Sequence, residues 1–112
     1  MVDLKCTADF CLIPMGTETA SISKYIAEVQ VLIRSSGLKY SMHSAGTTVE
    51  GPWDKVMELI GKAHELIHSL GVSRVQSDIR VGTRIDKVQS FTDKVDAVEK
   101  ILKEKDEAAG KS

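Results

Sequence analysis

The stretch from Tyr40 to Asp54, YSMHSAGTTVEGPWD, decides the fold, because it encodes a strand, a tight turn, a second strand and the start of a helix. Apolar and polar residues alternate in Tyr40–His43, and β-favouring residues return in Thr47–Val49. The small residues between them, Ser44–Gly46, include a glycine that is free to adopt positive φ, which suits a tight turn. Gly51-Pro52 ends the second strand, and proline suits the first position of the helix that follows. The stretch therefore predicts a β-hairpin that leads into a helix.

One strand and one helix are predicted on the N-terminal side of this hairpin. Apolar residues occupy the even positions of Leu4–Leu12, and this period of two indicates a strand with one apolar face. From Ser21 onward, apolar residues recur every three or four positions, as they do on one face of a helix. Gly37 ends that pattern and predicts the end of the helix.

A helix, a strand and a further helix are predicted on the C-terminal side. Apolar residues keep helical spacing over Val56–Leu70, and Arg74–Arg80 alternates again with a period of two. Ser90 begins a capping sequence for a last, short helix. Residues 106–112 have no apolar partners, and we expect them to fray.

The predicted order is strand, helix, strand, strand, helix, strand, followed by an appended C-terminal helix. Two split βαβ units fit this order, which predicts an α+β fold of the ferredoxin-like βαββαβ type. Its four-stranded antiparallel sheet would carry both long helices on one face, and we expect residues 1–112 to form a single domain. Half of a doubly wound sheet is the alternative, but the central hairpin counts against it.

Charge and composition exclude two classes of partner. The chain of 112 residues has 15 basic and 16 acidic side chains and a formal net charge of −1, so no net field draws it to nucleic acid or anionic lipid. Aromatic residues make up only 4% of the chain, which also argues against the stacking of bases on its surface. We expect neither nucleic acid nor membrane as a partner.

The N-terminal residues and the two cysteines indicate a cytoplasmic protein. The chain begins without a basic segment followed by an apolar run, and no apolar stretch is long enough to span a membrane. Cys6 and Cys11 project to opposite faces of one predicted strand, so they cannot pair with each other. We expect a soluble, unprocessed protein with reduced thiols.

The face of the sheet that points away from the helices is predicted to be polar. Such an open face is solvated, covered by another subunit, or part of a ligand site. Asp9, His43, Thr48 and Glu50 belong to neighbouring strands and could converge there. The predicted open-face residues are Lys5, Thr7, Asp9 and Cys11 in the first strand, Lys39, Ser41 and His43 in the second, Thr48 and Glu50 in the third, and Arg74, Gln76, Asp78 and Arg80 in the fourth.

The segment His64–His68, HELIH, matches the H-E-x-x-H pattern of zinc hydrolases. Such a site needs a third protein ligand, and Arg74 stands where the extended motif has histidine. Two residues inside the match, Leu66 and Ile67, also belong to the apolar stripe of the predicted helix. We therefore expect no zinc site on this helix.

Four separated motifs, in the right order from about Leu4 to Leu102, resemble the small YkoF-like thiamine-binding family and especially its fungal members. The motifs are Ala8–Phe10 leading into Pro14–Thr17, Ser21–Tyr25 at the first helix, His43 with Gly46–Gly51 at the hairpin, and Arg74-Val75 through Arg84–Lys87. The resemblance implies a ferredoxin-like fold, a cytoplasmic location, and homodimers or homotetramers that assemble through the sheets. It also implies binding of thiamine or its hydroxymethylpyrimidine part without catalysis and without a cofactor.

A site for an aminopyrimidine near the hairpin follows as an expectation from this resemblance. The carboxylate of Glu50 would pair with the ring nitrogen, and the hydroxyls of Thr47 and Thr48 would serve the exocyclic amine. Thr17, which follows the first strand, would bound the site. The remaining candidate ligand-binding residues are Asp9, His43 and Asp78.

Two other function classes stay open at this point. An enzyme that acts on a small metabolite could use Cys11 as a nucleophile and His43 as its base, since both are predicted on the open face, or it could use the HELIH helix. A purely structural homo-oligomer is the other alternative. Turnover separates the enzyme from the two other classes.

Overall fold

The computed structural model describes residues 2–16, 23–86 and 90–110, and within these ranges strands and helices follow the predicted order. The strands and helices are β1 (Lys5–Met15), α1 (Ser23–Ser35), β2 (Lys39–His43), β3 (Gly46–Pro52), α2 (Trp53–Ser69), β4 (Arg74–Thr83) and α3 (Phe91–Gly110). Each predicted strand and helix is therefore present. Their boundaries differ from the predicted ones at several places.

The four strands form one antiparallel sheet in the order β2-β3-β1-β4. Thr7 lies opposite Glu50 on β3, and Asp9 lies between Thr48 of β3 and Arg80 of β4. The first strand is thus central, and the hairpin strand β2 forms one edge. This topology is the predicted ferredoxin-like arrangement.

The core lies between the sheet and the helices α1 and α2. Alternate residues of β1 are buried, among them Ala8 and Phe10, and Val49 of β3 joins them. Ile33 of α1 and Ile67 of α2 are fully buried against this face. Cys6 is also part of the core, and burial raises the pKa of its thiol. The predicted apolar face of the first strand and both helical stripes are confirmed.

The hairpin turn is formed by Ser44 and Ala45, as the sequence predicts, and Gly46 begins β3. Gly46 has φ of 153°, and a Cβ atom built on it would lie 2.5 Å from the carbonyl oxygen of Phe10. Glycine is therefore required where the hairpin crosses β1. Pro52 occupies the cap position directly before α2, not the first helical position as predicted.

Three boundaries extend beyond the predicted ones. β1 continues to Met15 and includes Pro14, which pairs with Val75 of β4 but lies past the last pair with β3, Phe10 with Thr47. Proline is tolerated at such an edge position, because its missing N–H breaks no ladder bond with a third strand. β4 continues to Thr83, and α3 remains helical to Gly110. The predicted start of α1 at Ser21 falls outside the described residues.

The helix α3 projects from the rest of the molecule. Its start is capped as predicted, since the N–H of Ser90 donates to Asp93 Oδ2 at 2.8 Å and the N–H of Asp93 donates to the carbonyl of Ser90 at 3.0 Å. Its apolar side chains remain about half exposed: Val95 by 56%, Val98 by 55%, Ile101 by 53% and Leu102 by 50%. Within the described residues, no helix has the length and apolar character needed to cross a membrane.

Candidate functional site

A cavity of about 530 Å³ lies between the hairpin turn and α1. β1 extends past its last pair with β3, at Phe10, and the cavity is lined by this part of β1, by the hairpin turn and by α1. We call it the hairpin cavity. Its walls are mostly apolar, and the apolar side chains include Phe10, Ile26, Ala27, Val29, Met42 and Ala45. A volume of this size and character suits a small heterocyclic ligand.

Two polar side chains meet in the wall of the hairpin cavity. Gln30 of α1 donates from Nε2 to Thr47 Oγ1 of β3 at 2.9 Å, and both residues line the cavity. Thr47 is only 4% exposed. Among the described residues, no buried side-chain nitrogen or oxygen lacks a hydrogen-bond partner. The part of the Gln30 amide not engaged by Thr47 is therefore open to the cavity or to solvent.

His43 fastens the hairpin to the central strand. Its Nε2 lies 2.8 Å from Asp9 Oδ1, and the N–H of Ala45 donates to its Nδ1 at 3.3 Å. Because Nδ1 accepts a hydrogen bond, the proton of the neutral ring belongs on Nε2, which donates to Asp9. Both ring nitrogens are thus engaged within the chain.

This arrangement weighs against the enzyme that uses Cys11 and His43. A general base needs a free lone pair directed at the nucleophile. The lone pair of His43 accepts from Ala45, and the sulfur of Cys11 lies 4.0 Å from the carbonyl oxygen of Leu12. Both side chains border the hairpin cavity, but neither shows the activation that nucleophilic catalysis requires.

Glu50 serves as the anchor of α3. Its carboxylate accepts hydrogen bonds from the hydroxyl of Ser90 and, at 3.2 Å, from the N–H of Phe91. Lys39 Nζ lies 3.7 Å from the same carboxylate and 5.2 Å from the centre of the Phe91 ring. Glu50 is only 5% exposed as a result. Its acceptor groups are used by the protein itself, at the opposite end of the hairpin from the turn.

The other predicted ligand-binding residues lie in different places. Thr47 faces the helices, whereas Thr48 is on the open face, opposite Asp9 and Ser41. Asp78 is also on the open face, opposite Cys11. Thr17 lies outside the described residues. The structure therefore brings His43 and Thr47 to the hairpin cavity, with Asp9 bonded to His43, and places Thr48, Glu50 and Asp78 elsewhere.

Gln30 is a polar residue of the cavity that the sequence interpretation did not single out as a ligand-binding candidate. It follows Ile26 by four positions on α1, so it borders the buried stripe of that helix. A glutamine at the edge of an apolar stripe, facing a hairpin that contains a buried threonine, is the signal that could have identified it.

The histidines of the HELIH segment are used to hold α2 against neighbouring parts of the fold. His64 Nε2 lies 2.9 Å from Ser77 Oγ of β4, and His68 Nδ1 donates to the carbonyl of Val72 at 2.8 Å. Among the described residues, no group of three or more histidine, cysteine or acidic side chains could hold a metal ion. The absence of zinc stays a prediction, which metal analysis after dialysis tests.

Sequence comparisons identify relatives over most of the chain. The family model described as thiamine-binding protein matches residues 8–99. The UPF0045 protein ECM15 of Eremothecium gossypii is 51% identical over 102 residues, which cover 91% of this chain and 97% of that protein. The UPF0045 protein sll0230 of Synechocystis is 41% identical over 91 residues, which cover 81% of this chain and 74% of that protein.

Solved structures share the fold. Protein MJ1052 from Methanocaldococcus jannaschii matches with a TM-score of 0.76 at 29% identity, over 85% of this chain and 96% of that one. Protein TM0486 from Thermotoga maritima, described as a candidate thiamine biosynthesis/salvage protein, matches with a TM-score of 0.71 at 20% identity, over 84% of this chain and 98% of that one. The latter identity is low, so that match supports the fold alone. Both the predicted fold and the family resemblance are confirmed, and the chain belongs to the thiamine-binding protein family.

Proposed function

We propose that this protein binds thiamine or its hydroxymethylpyrimidine part in the hairpin cavity and does not transform it. Family membership supports a role in binding a small molecule. The observation that carries the proposal is the cavity of about 530 Å³, which combines apolar walls with the polar pair Gln30 and Thr47. Pockets of this kind bury most of a small ligand and use a few polar groups to orient it.

An aminopyrimidine fits the chemistry of this cavity. The flat ring of such a ligand is apolar on both faces, and side chains such as Ile26 and Met42 can pack against it. Its edge carries an amine donor and ring-nitrogen acceptors, which need polar partners when water is removed. The side chains of Gln30 and Thr47 supply such partners. The proposal thus keeps the ligand predicted for this chain but places it at the turn end of the hairpin, away from Glu50.

The same proposal includes a non-catalytic role in the cytoplasm. The family's description names binding, and the engaged nitrogens of His43 give no support to a nucleophilic mechanism. Cys6 and Cys11 are both free thiols, as expected for a reducing compartment. No turnover of thiamine or of hydroxymethylpyrimidine is expected.

We also propose that the protein assembles with copies of itself through the open face of the sheet. Cations and anions alternate on this face, as in the opposed pair Asp9 and Arg80, so two copies can present complementary charges to each other. Because α3 is anchored to this face through Glu50, its exposed apolar stripe lies within reach of a second copy. Covering that stripe would remove apolar surface from water.

Titration calorimetry tests both the identity of the ligand and the location of its binding site. The wild-type protein should release or absorb heat with hydroxymethylpyrimidine or thiamine. Ala27→Phe, which places a large side chain at the exposed rim of the hairpin cavity, should weaken or abolish that signal. Glu50→Gln should leave binding unchanged, because Glu50 contacts α3 and not the cavity. Loss of binding in Glu50→Gln with retention in Ala27→Phe would move the site to the open face. No heat with either compound at millimolar concentration would leave the structural oligomer as the better account.

A further inference from the structure

We propose that the side-chain amide of Gln30 is the group that selects an aminopyrimidine in its unprotonated form, and this inference rests on the function proposed above. The amide would accept a hydrogen bond from the exocyclic amine through Oε1 and donate one to the adjacent ring nitrogen through Nε2. A ligand with a carbonyl oxygen in place of the amine would be bound less well. Gln30 would thus determine the specificity of the cavity.

The position of Gln30 supports this role. It projects from the middle of α1 into the wall of the hairpin cavity, where its Nε2 is held by Thr47 Oγ1 at 2.9 Å. Thr47 belongs to β3 and is only 4% exposed, so the partner that holds the amide is itself fixed in the core. The amide is therefore held in place before any ligand arrives, which lowers the entropy cost of binding.

One bond to Thr47 leaves the amide with the right remaining groups. A glutamine amide has two N–H donors and one carbonyl oxygen, and Thr47 uses one of the donors. One donor and one acceptor remain on the same planar group, and the two-point contact uses the N–H beside the carbonyl oxygen while Thr47 takes the other. An aminopyrimidine presents the complementary pair, an amine donor next to a ring-nitrogen acceptor. Glutamine and asparagine read the corresponding edge of adenine in the same two-bonded way.

The protonation state of the ligand follows from the same geometry. Protonation of an aminopyrimidine occurs mainly on the ring nitrogen remote from the amine, and the charge makes the adjacent ring nitrogen a weaker acceptor for the amide N–H. A charged ring is also costly to bury between apolar walls, so the amide site favours the unprotonated ring. A carboxylate at this position would do the opposite, because it accepts hydrogen bonds and favours a protonated, positively charged ring. Exchange of the amide for a carboxylate should therefore reverse the dependence of binding on pH.

Other titratable groups at the cavity do not account for such a reversal. Cys11 of β1 and His43 of β2 border the cavity, and His43 is bonded to Asp9 of β1. On α1, the described residues that line the cavity are uncharged: Ser23, Ile26, Ala27, Val29 and Gln30. The wild-type protein and Gln30→Glu share all of these groups, so the difference between their pH profiles isolates the residue at position 30.

The test measures the affinity of hydroxymethylpyrimidine, and of its analogue with a carbonyl oxygen in place of the amine, for four proteins. These are the wild-type protein, Gln30→Leu, Gln30→Glu and the control Gln76→Leu, which changes an exposed glutamine on the open face. Gln30→Leu should bind the amine compound about thirtyfold more weakly, as expected for the loss of two net hydrogen bonds, and should lose the preference over the carbonyl analogue. Gln76→Leu should bind like the wild type.

The pH profile supplies the second readout. As the pH falls through the pKa of the free ligand, affinity should decrease for the wild type and increase for Gln30→Glu. Thermal unfolding establishes that each variant is folded, and if Gln30→Leu is not, the comparison with Gln30→Glu decides alone, since that variant preserves the size of the side chain.

The outcomes separate this inference from the proposed function. Wild-type binding that is unchanged in Gln30→Leu, or parallel pH profiles in the wild type and Gln30→Glu, would overturn the role of Gln30 and leave the ligand site in place. Failure of the wild type to bind either compound at millimolar concentration would overturn both. Two results together would establish the inference. The wild type prefers the amine compound whereas Gln30→Leu does not, and the pH dependence of affinity is opposite in the wild type and in Gln30→Glu.

Discussion

Neighbouring residues of the hairpin have different roles because the strand alternates its faces. Thr47 points into the core and bonds to Gln30, whereas Thr48 lies on the open face opposite Asp9. Alternation along a strand predicts this separation from the sequence alone. The expectation that both hydroxyls contact one amine is therefore wrong, because they lie on opposite faces of the sheet. The contact between Glu50 and Ser90 is different, because it joins residues 40 positions apart. No local pattern in the sequence encodes it.

Two glycine substitutions test the account of the hairpin at the residue scale. Gly46→Ala should lower the free energy of unfolding by about 1–3 kcal/mol, because its φ is unfavourable for alanine and the new Cβ would approach the Phe10 carbonyl. Gly61→Ala is the matched control. It lies in α2 with no atom within 4 Å of the new Cβ, and alanine should stabilise the helix there by about 0.5–1 kcal/mol. Urea unfolding of both variants provides the measurement. Equal changes in the free energy of unfolding would contradict the requirement for glycine at position 46.

The strands and helices could be predicted because the periodicity of their apolar residues is visible within short stretches of sequence. The alternation in β1 and the helical spacing in α2 gave the correct core, since burial requires those periods. The order of strands and helices gave the ferredoxin-like sheet. The hairpin cavity was not predictable in the same way. It depends on how far β1 extends past Phe10 and on the approach of α1 to the turn, and those are tertiary distances. Only the position of Gln30 at the edge of the apolar stripe distinguishes it from the other polar residues of α1.

The anchor of α3 can be tested at the scale of this element. Glu50→Gln should lower the stability by about 1.5–3 kcal/mol, because the carboxylate is buried and accepts bonds from Ser90 and Phe91. Hydrogen exchange at the Phe91 amide should become faster. Glu58→Gln is the control, since it breaks only an exposed ion pair with Lys62 and should cost about 0.3–0.5 kcal/mol. Equal stability of both variants would show that Glu50 does not hold the helix.

The shape of the whole molecule indicates that a single chain leaves surface uncovered. The molecule measures 59 × 38 × 21 Å along its principal axes. It is elongated because α3 projects from the core instead of packing against it. The apolar side chains of α3 and the exposed Ile79 and Val81 of β4 remain in contact with water in the isolated chain. Such apolar surface commonly marks a site of association.

Sedimentation equilibrium tests self-association at this scale. The protein should sediment as a multiple of 12.2 kDa at micromolar concentration. Arg80→Glu should weaken the assembly, because it places a negative charge next to Asp9 on the open face. Arg34→Glu, at the exposed end of α1, should not. A monomer at all concentrations, or equal assembly by both variants, would contradict association through the open face.

The central claim is that a pyrimidine occupies the hairpin cavity, and intermolecular nuclear Overhauser effects test it most directly. Wild-type protein with labelled methyl groups is mixed with hydroxymethylpyrimidine, and contacts from the ring methyl group are recorded. We predict contacts to Ile26, Ala27 and Met42, which line the cavity, and none to Thr48 on the open face. Contacts to Thr48 without contacts to Ile26, or no change in the spectrum at millimolar ligand, would contradict the account.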